Sequence, residues 1–186
     1  MALKYQKIEG YPEIPWNLDT KEHQRWIKDF LWRIVEELCE AEEYIGIKDQ
    51  EELFYEELSD VVHFIVDIMV ALGWSADYLV STYIHDSEMK ELLASGEAND
   101  VLNVENFRKQ AYGAICNIGW AANCLKNKPW KQTQVLTDRR KFESRLVNAF
   151  YWIIQILGGQ GFKIEDIYIL YMKKHAINKF RQDTNY

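Results

Sequence analysis

Apolar residues recur every three or four positions in six long segments of this sequence, and that spacing limits the possible folds more than any other feature. The segments cover residues 20–45, 50–72, 76–93, 104–126, 139–158 and 164–182. No segment alternates apolar and polar residues between turn signals, as a half-buried strand would. The spacing therefore predicts an all-α protein, a helical bundle without a sheet.

The first two helices have the clearest ends and apolar faces. Gly46 and Gly73 follow their last apolar residues, and Thr20 and Ser75 stand where N-terminal caps are expected. The apolar faces comprise Ile27, Leu31, Ile34, Leu38, Ala41 and Ile45 in the first helix and Leu58, Val61, Val62, Ile65, Ile68, Met69 and Leu72 in the second. We expect these faces to pack together, and residues 1–19 to be irregular with exposed aromatic side chains.

The sequence contains an internal repeat. Residues 57–84 align without gaps on residues 145–172, and residues 94–103 lie between the copies as a linker. Two long copies do not make a solenoid, for which several short repeats are typical. We therefore interpret residues 1–186 as a single domain with an internal duplication. The repeat units are residues 20–93 and 104–186.

Bulk properties exclude several classes of protein. No apolar run approaches the length of a membrane span, and the N-terminus lacks the apolar stretch of a signal peptide. The three cysteines are an odd number without metal-ligand spacing, which argues against a disulfide framework. These features predict a cytoplasmic protein with no membrane association.

Charge divides unevenly between the two halves of the chain. Residues 1–100 carry 23 Asp and Glu against 8 Lys and Arg, whereas residues 101–186 carry 6 against 14. The net charge of −7 argues against a polymeric nucleic acid as partner, since such binding needs a continuous basic surface. The division instead suggests an acidic wall for cations that faces a basic wall for phosphate.

Four carboxylates occupy matched positions on the first two helices. Glu37 and Glu40 form the first carboxylate pair, and Glu57 and Asp60 form the second. Helical residues three positions apart project from the same side, and at about 100° per residue each pair lies at the edge of its apolar face. Packing of the two faces would therefore bring the four carboxylates together.

Clustered carboxylates repel one another unless protons or a cation neutralise them. Their oxygens suit Mg²⁺ or Mn²⁺, so we predict a metal site at Glu37, Glu40, Glu57 and Asp60. The alternative is two solvated acidic helix faces. In the second repeat unit Arg145 stands at the position of Glu57, so only the first unit is predicted to bind metal.

The last helix has a basic face. Lys174, Asn178, Arg181 and Gln182 fall at helical spacings on one side. Lys and Arg suit phosphate oxygens, and amide side chains can donate to a sugar or a phosphate. The alternative is that the cations complement the dipole of their own helix.

These residues carry a family resemblance. The two carboxylate pairs, with His63 and Phe64 after the second, resemble the paired signature of the all-α nucleoside triphosphate pyrophosphohydrolases of the MazG and dimeric dUTPase type. The C-terminus is similar to the closing motif of dimeric and phage-type dUTPases, apart from His175 and Asn185. The matching residues there are Lys174, Asn178, Arg181, Gln182 and Tyr186.

The resemblance implies Mg²⁺-dependent hydrolysis of a deoxynucleoside triphosphate, with dUTP first among substrates, to the monophosphate and pyrophosphate. It also implies that Glu36 or Glu37 takes the proton of the attacking water, and that the protein is a homodimer. The substrate-binding residues would be Lys131, Lys174, Asn178, Arg181, Gln182 and Tyr186. A dCTP-cleaving or broader dNTP pyrophosphohydrolase, a catalytically dead regulatory module and a metal-independent bundle remain alternatives.

Overall fold

The structure is a computed structural model that describes residues 11–83, 91, 103–128 and 130–184, apart from the Gln182 side chain. These residues contain six helices. They are α1 (Lys21–Tyr44), α2 (Glu51–Ala71), α3 (Ala76–Thr82), α4 (Val104–Cys124), α5 (Arg139–Gly159) and α6 (Ile164–Asp183). These residues contain no strand, which confirms the all-α prediction. The predicted linker apart from Asn103, and most of the third helix beyond Thr82, lie outside them. No single described helix is long and apolar enough to cross a membrane, although α2 and α3 together would be, as a bent pair, by length and composition alone.

The core is built on two helix pairs, α1 with α2 and α4 with α5. All of the predicted apolar residues of α1 and α2 are buried, from Ile27 to Ile45 and from Leu58 to Leu72, so the expected packing of these faces is confirmed. Each fully buried aliphatic side chain contributes roughly 2 kcal/mol. The joint between α1 and α2 is therefore a strong scaffold for any side chain at its edge. In addition, α6 packs against α2.

Helix ends follow the predicted signals with one exception. Gly46 and Gly73 adopt positive φ values of 74° and 75°, which only glycine adopts readily. Ser75 caps α3 by accepting a hydrogen bond from the Tyr78 N–H at 3.1 Å. Thr20 occupies the cap position of α1, but its hydroxyl donates to the Asn17 carbonyl at 3.3 Å and caps nothing.

The prediction of exposed aromatic residues before α1 is wrong. Trp16 is only 3% exposed, and Tyr11 and Leu18 are also buried. The main-chain N–H of Trp16 donates to the Ala71 carbonyl at 2.6 Å, and the Trp16 ring lies 5.6 Å from that of Phe30. Because this segment covers the open end of the α1–α2 joint, its aromatic residues lie in the core although the segment is irregular.

Helix bounds repeat along the chain. Both α2 and α5 have 21 residues, and Glu51 and Arg139, where they begin, are 88 positions apart. The same offset separates the starts of α3 and α6, at Ala76 and Ile164. These bounds agree with the proposed duplication, which remains an interpretation, as do the repeat units 20–93 and 104–186.

Candidate active site

The two carboxylate pairs lie beside the α1–α2 joint. Leu38 on α1 and Leu58 on α2 are buried, and Glu37 and Glu57, each next to one of them, are half-buried. Glu40 lies one turn beyond Glu37 and is exposed. A buried leucine next to each pair thus fixes that stretch of helix against the core, and the carboxylates lie at the edge of the core.

The carboxylates of Glu37, Glu40 and Glu57 converge. One oxygen from each lies within 4.8 Å of the other two. Three acidic groups at this separation repel unless a proton or a cation intervenes. Their oxygens are of the kind that Mg²⁺ and Mn²⁺ prefer, so this donor set fits a hard divalent cation.

Crowding strongly affects the acidity of Glu37. Burial raises its pKa to about 8, and the charge of Asp60, a hydrogen bond to Glu57 and the charge of Glu40 add to the effect. Burial also raises the pKa of Glu57. Without a cation, Glu37 therefore keeps a proton near neutral pH and donates it in a hydrogen bond to Glu57.

This proton predicts a pH dependence of stability. Since the pKa of Glu37 is about 8 in the folded chain against an ordinary value of 4.5, the folded state binds the additional proton between these values. Without metal, the free energy of unfolding should therefore fall as pH rises, most clearly from about pH 7 to 8, where His63 with its ordinary pKa of 6.5 in the unfolded chain has already lost most of its proton. Thermal unfolding in EDTA measures this. The slope should shrink in Glu37→Gln and in millimolar Mg²⁺; an unchanged slope in both would contradict the assignment.

Lys174 closes one side of the cluster. Its Nζ donates to Glu56 Oε1 and Asp60 Oδ2, each at 2.8 Å, and it is 6% exposed. Burial raises the pKa of Asp60, while Lys174 and, more weakly, Arg181 oppose that rise. Asp60 thus lies between the other carboxylates and a buried cation that α6 supplies.

The two predicted candidates for the proton acceptor differ in position. The Oε1 of Glu36 accepts from Trp32 Nε1 at 2.9 Å, and its Oε2 pairs with Arg33 at 3.0 Å. Both oxygens of Glu36 therefore have partners on the outer face of α1. Glu37 is the candidate that the fold brings into the carboxylate cluster.

The predicted substrate-binding residues lie at different distances from the cluster. On α6, Asn178 is half-buried and Arg181 is exposed, and the Arg181 charge lowers the pKa of both Glu56 and Asp60 in addition to the larger effect of Lys174. The Gln182 side chain and Tyr186 lie outside the described residues. Lys174 and Arg181 are thus the predicted cations that the fold brings near the carboxylates.

Lys131 lies far from the carboxylates of its own chain. Its main-chain carbonyl accepts a hydrogen bond from Lys21 Nζ, at the first turn of α1. The helix between Lys21 and Glu37 is about 24 Å long at 1.5 Å per residue. The geometry of a single chain therefore does not bring Lys131 to the cluster, and its role in substrate binding remains a prediction.

A buried polar group beside the cluster was not predicted as functional. The ring of His63 stacks on Tyr171 at 4.1 Å, and its Nδ1 lies 2.9 Å from the Ser59 carbonyl. Burial lowers the pKa of His63 to about 4, so the ring is neutral and donates from Nδ1. Its Nε2 and Asp67 Oδ2 are buried and have no hydrogen-bond partner within the described ranges. The sequence signal that could have indicated a role for His63 is its position one turn after Asp60. Its stacking on Tyr171 of α6 is a long-range contact, which no local pattern indicates.

Comparison with known protein families identifies a related family. A family model described as dUTPase matches residues 43–186. The matched region contains the second carboxylate pair, Lys174 and the basic end of α6, and it begins just after Glu40. No curated protein and no solved structure matches the chain.

Proposed function

We propose, from the premise that this chain belongs to the dUTPase family, that it hydrolyses dUTP to dUMP and pyrophosphate with Mg²⁺ as cofactor. Family membership implies an enzyme of the nucleotide pyrophosphatase type. The convergence of Glu37, Glu40 and Glu57 to within 4.8 Å carries the proposal of a metal-dependent reaction. The tail resemblance supports dUTP as the preferred substrate.

Glu37, Glu40, Glu57 and Asp60 would hold the metal. When bound, Mg²⁺ would neutralise triphosphate oxygens and lower the pKa of a water molecule. Mn²⁺ would fit the same oxygen donors. The pKa of Glu37 is raised first by burial and then by the charges of Asp60, Glu40 and Glu57, and a cation would relieve this repulsion between the carboxylates.

The protein's own residues would activate the water and hold the substrate. Glu37, the candidate that lies in the carboxylate cluster, would accept the proton of the attacking water. Attack at the α-phosphorus would break the bond to the bridging oxygen and release pyrophosphate. Lys174 and Arg181 would balance the charge of the triphosphate. Asn178, Gln182 and Tyr186 would contact its sugar and phosphates.

We also propose that the protein is a homodimer. The outer side of α6 exposes Tyr168, Ile169, Met172 and Phe180, with Tyr168 and Phe180 63% and 68% exposed. Apolar side chains at one-turn spacings on a helix are typical of an interface. A second copy of the chain would cover them.

Incubation with Mg²⁺ and a panel of dUTP, dCTP, dTTP, dATP and dGTP tests the proposed reaction. We expect dUTP to be cleaved fastest, and the products to be dUMP and pyrophosphate in equal amounts. Release of inorganic phosphate would contradict attack at the α-phosphorus. Faster cleavage of dCTP would contradict the preference for dUTP and indicate a dCTP-cleaving enzyme. Equal rates for all five would indicate a broader dNTP pyrophosphohydrolase. Absence of cleavage with any substrate would favour the catalytically dead module.

A further inference from the structure

The second helix pair, α4 with α5, carries positive charge where the first, α1 with α2, carries negative charge. Arg145 on α5 stands where α2 has Glu57, at the offset of 88 that relates these helices. Its guanidinium lies 4.3 Å from the ring centroid of Trp120 on α4. Its Nη1 lies 3.4 Å from Asn117 Oδ1. Where the first pair presents converging carboxylates, the second presents a guanidinium against an indole.

Further cations surround Arg145. Lys141, one turn before it on α5, is exposed, as is Lys126 just beyond α4. Burial raises the pKa of the Cys124 thiol, while the charges of Lys141, Lys126 and Arg145 oppose the rise and that of Asp138 adds to it. Cys124 therefore lies within electrostatic reach of three cations and one acidic group. That acid, Asp138, already accepts a hydrogen bond from the main-chain N–H of Lys141 at 3.1 Å.

The same surface continues to a second indole. Burial lowers the pKa of Lys28, and the like charges of Lys128 and Lys126 lower it further, so these three amines are close. The Nζ of Lys128 lies 5.4 Å from the ring centroid of Trp130. Trp120 and Trp130 are 48% and 76% exposed. We call Lys126, Lys128, Lys141, Arg145, Trp120 and Trp130 the basic surface.

Its cations lack acidic partners. In the described part of the chain, the ion pairs are made by Arg33, Arg108, Arg139 and Lys174, and by none of the four cations of the basic surface. The C-terminal end of α4 accounts for Lys126 and Lys128, because cations stabilise that end of a helix dipole. It does not account for Lys141 in the first turn of α5, an end of the helix where positive charge is unfavourable and where Asp138 at the cap already supplies an acid.

We propose that the basic surface is a second nucleotide site, which binds without metal by holding phosphate on Arg145 and Lys141 and stacking the base on Trp120. The guanidinium fork and the ammonium match phosphate oxygens. An exposed indole stacks on any base. A free nucleoside triphosphate, which offers both the phosphates and the base, is the ligand that we assign to this surface.

Titration of the full chain in EDTA tests this site, because EDTA removes the metal on which the carboxylate site depends. The probes are a non-hydrolysable dUTP analogue and an oligothymidylate of about 20 nucleotides, followed by tryptophan fluorescence and by calorimetry. We expect saturable binding of the dUTP analogue that weakens as salt rises. The analogue should bind more tightly than the oligonucleotide, and tighter binding of the oligonucleotide would overturn the assignment to a free nucleotide.

Substitutions localise the binding. Arg145→Gln and Lys141→Gln should each weaken it by about tenfold, as expected for the loss of one charge-assisted phosphate contact. Lys109→Gln, an exposed lysine elsewhere on α4, should leave it unchanged. Lys141→Gln keeps the contact between Arg145 and Trp120, so this variant still tests the site if Arg145→Gln fails to fold. Absence of binding for both probes in EDTA, or equal binding by the wild type and Lys141→Gln, would overturn the proposal. Neither result would affect Mg²⁺-dependent hydrolysis.

Discussion

Replacement of Glu57 by glutamine should lower the kcat of dUTP hydrolysis by roughly 10³-fold, because it removes a negative ligand from the proposed metal site. The oxygen of Glu57 lies within 4.8 Å of those of Glu37 and Glu40, so it belongs to the cluster on which the reaction would depend. Glutamine preserves the size and the helix propensity of the side chain. The fold should therefore survive, with an unchanged helical circular dichroism spectrum.

Glu52→Gln is the matched control for this variant. Glu52 lies on the same helix, is exposed, and is not part of the cluster. Its kcat should stay within about twofold of the wild-type value, since a surface substitution of this kind has little effect. Comparable activity in Glu57→Gln and in Glu52→Gln would contradict the proposed role of the second carboxylate pair.

Lys174→Met should destabilise the metal-free protein by about 2 kcal/mol, because removal of a buried cation leaves its carboxylate partners without compensation. Lys174 contacts Glu56 and Asp60 at 2.8 Å each, and the Asp60 side chain is only 20% exposed. Burial alone would lower the pKa of Lys174, but the hydrogen bonds and charges of these two carboxylates raise it. The cation therefore stabilises the fold through both partners.

Mg²⁺ should restore part of the stability lost in Lys174→Met, since a divalent cation at the cluster would also offset the charge of Asp60. Thermal unfolding in EDTA and in Mg²⁺ measures both effects, and KM for dUTP should rise because a phosphate contact is lost. Lys173→Met, an exposed neighbour, is the control and should behave as the wild type. An unchanged melting temperature in EDTA for Lys174→Met would show that its ion pairs contribute nothing to stability.

Local patterns carried much of the fold prediction. The spacing of Ile27, Leu31 and Ile34 follows from the helical period alone, and the glycine turns follow from backbone sterics. Packing over the ends of helices is not local. Trp16 looked exposed because its segment is irregular, yet its burial depends on Phe30 and on the end of α2.

The same distinction applies to the candidate site. Both carboxylate pairs are visible in the sequence because residues three positions apart share a helix face. The contact of Lys174 with Glu56 joins residues 118 positions apart, and no local period indicates it. The stacking of Arg145 on Trp120 is equally hidden, because it depends on how α4 and α5 pack.

The central claim is that the carboxylates of α1 and α2 hold a divalent cation, and calorimetric titration of Mg²⁺ into the full chain tests it most directly. At pH 7, with a non-hydrolysable dUTP analogue present, binding should saturate and release close to one proton per chain. That proton is the one that Glu37 holds at a pKa of about 8, and buffers of different ionisation enthalpy would reveal it. Glu57→Gln should bind Mg²⁺ at least about tenfold more weakly. No saturable binding by the wild type, or equal binding by Glu57→Gln, would contradict the claim.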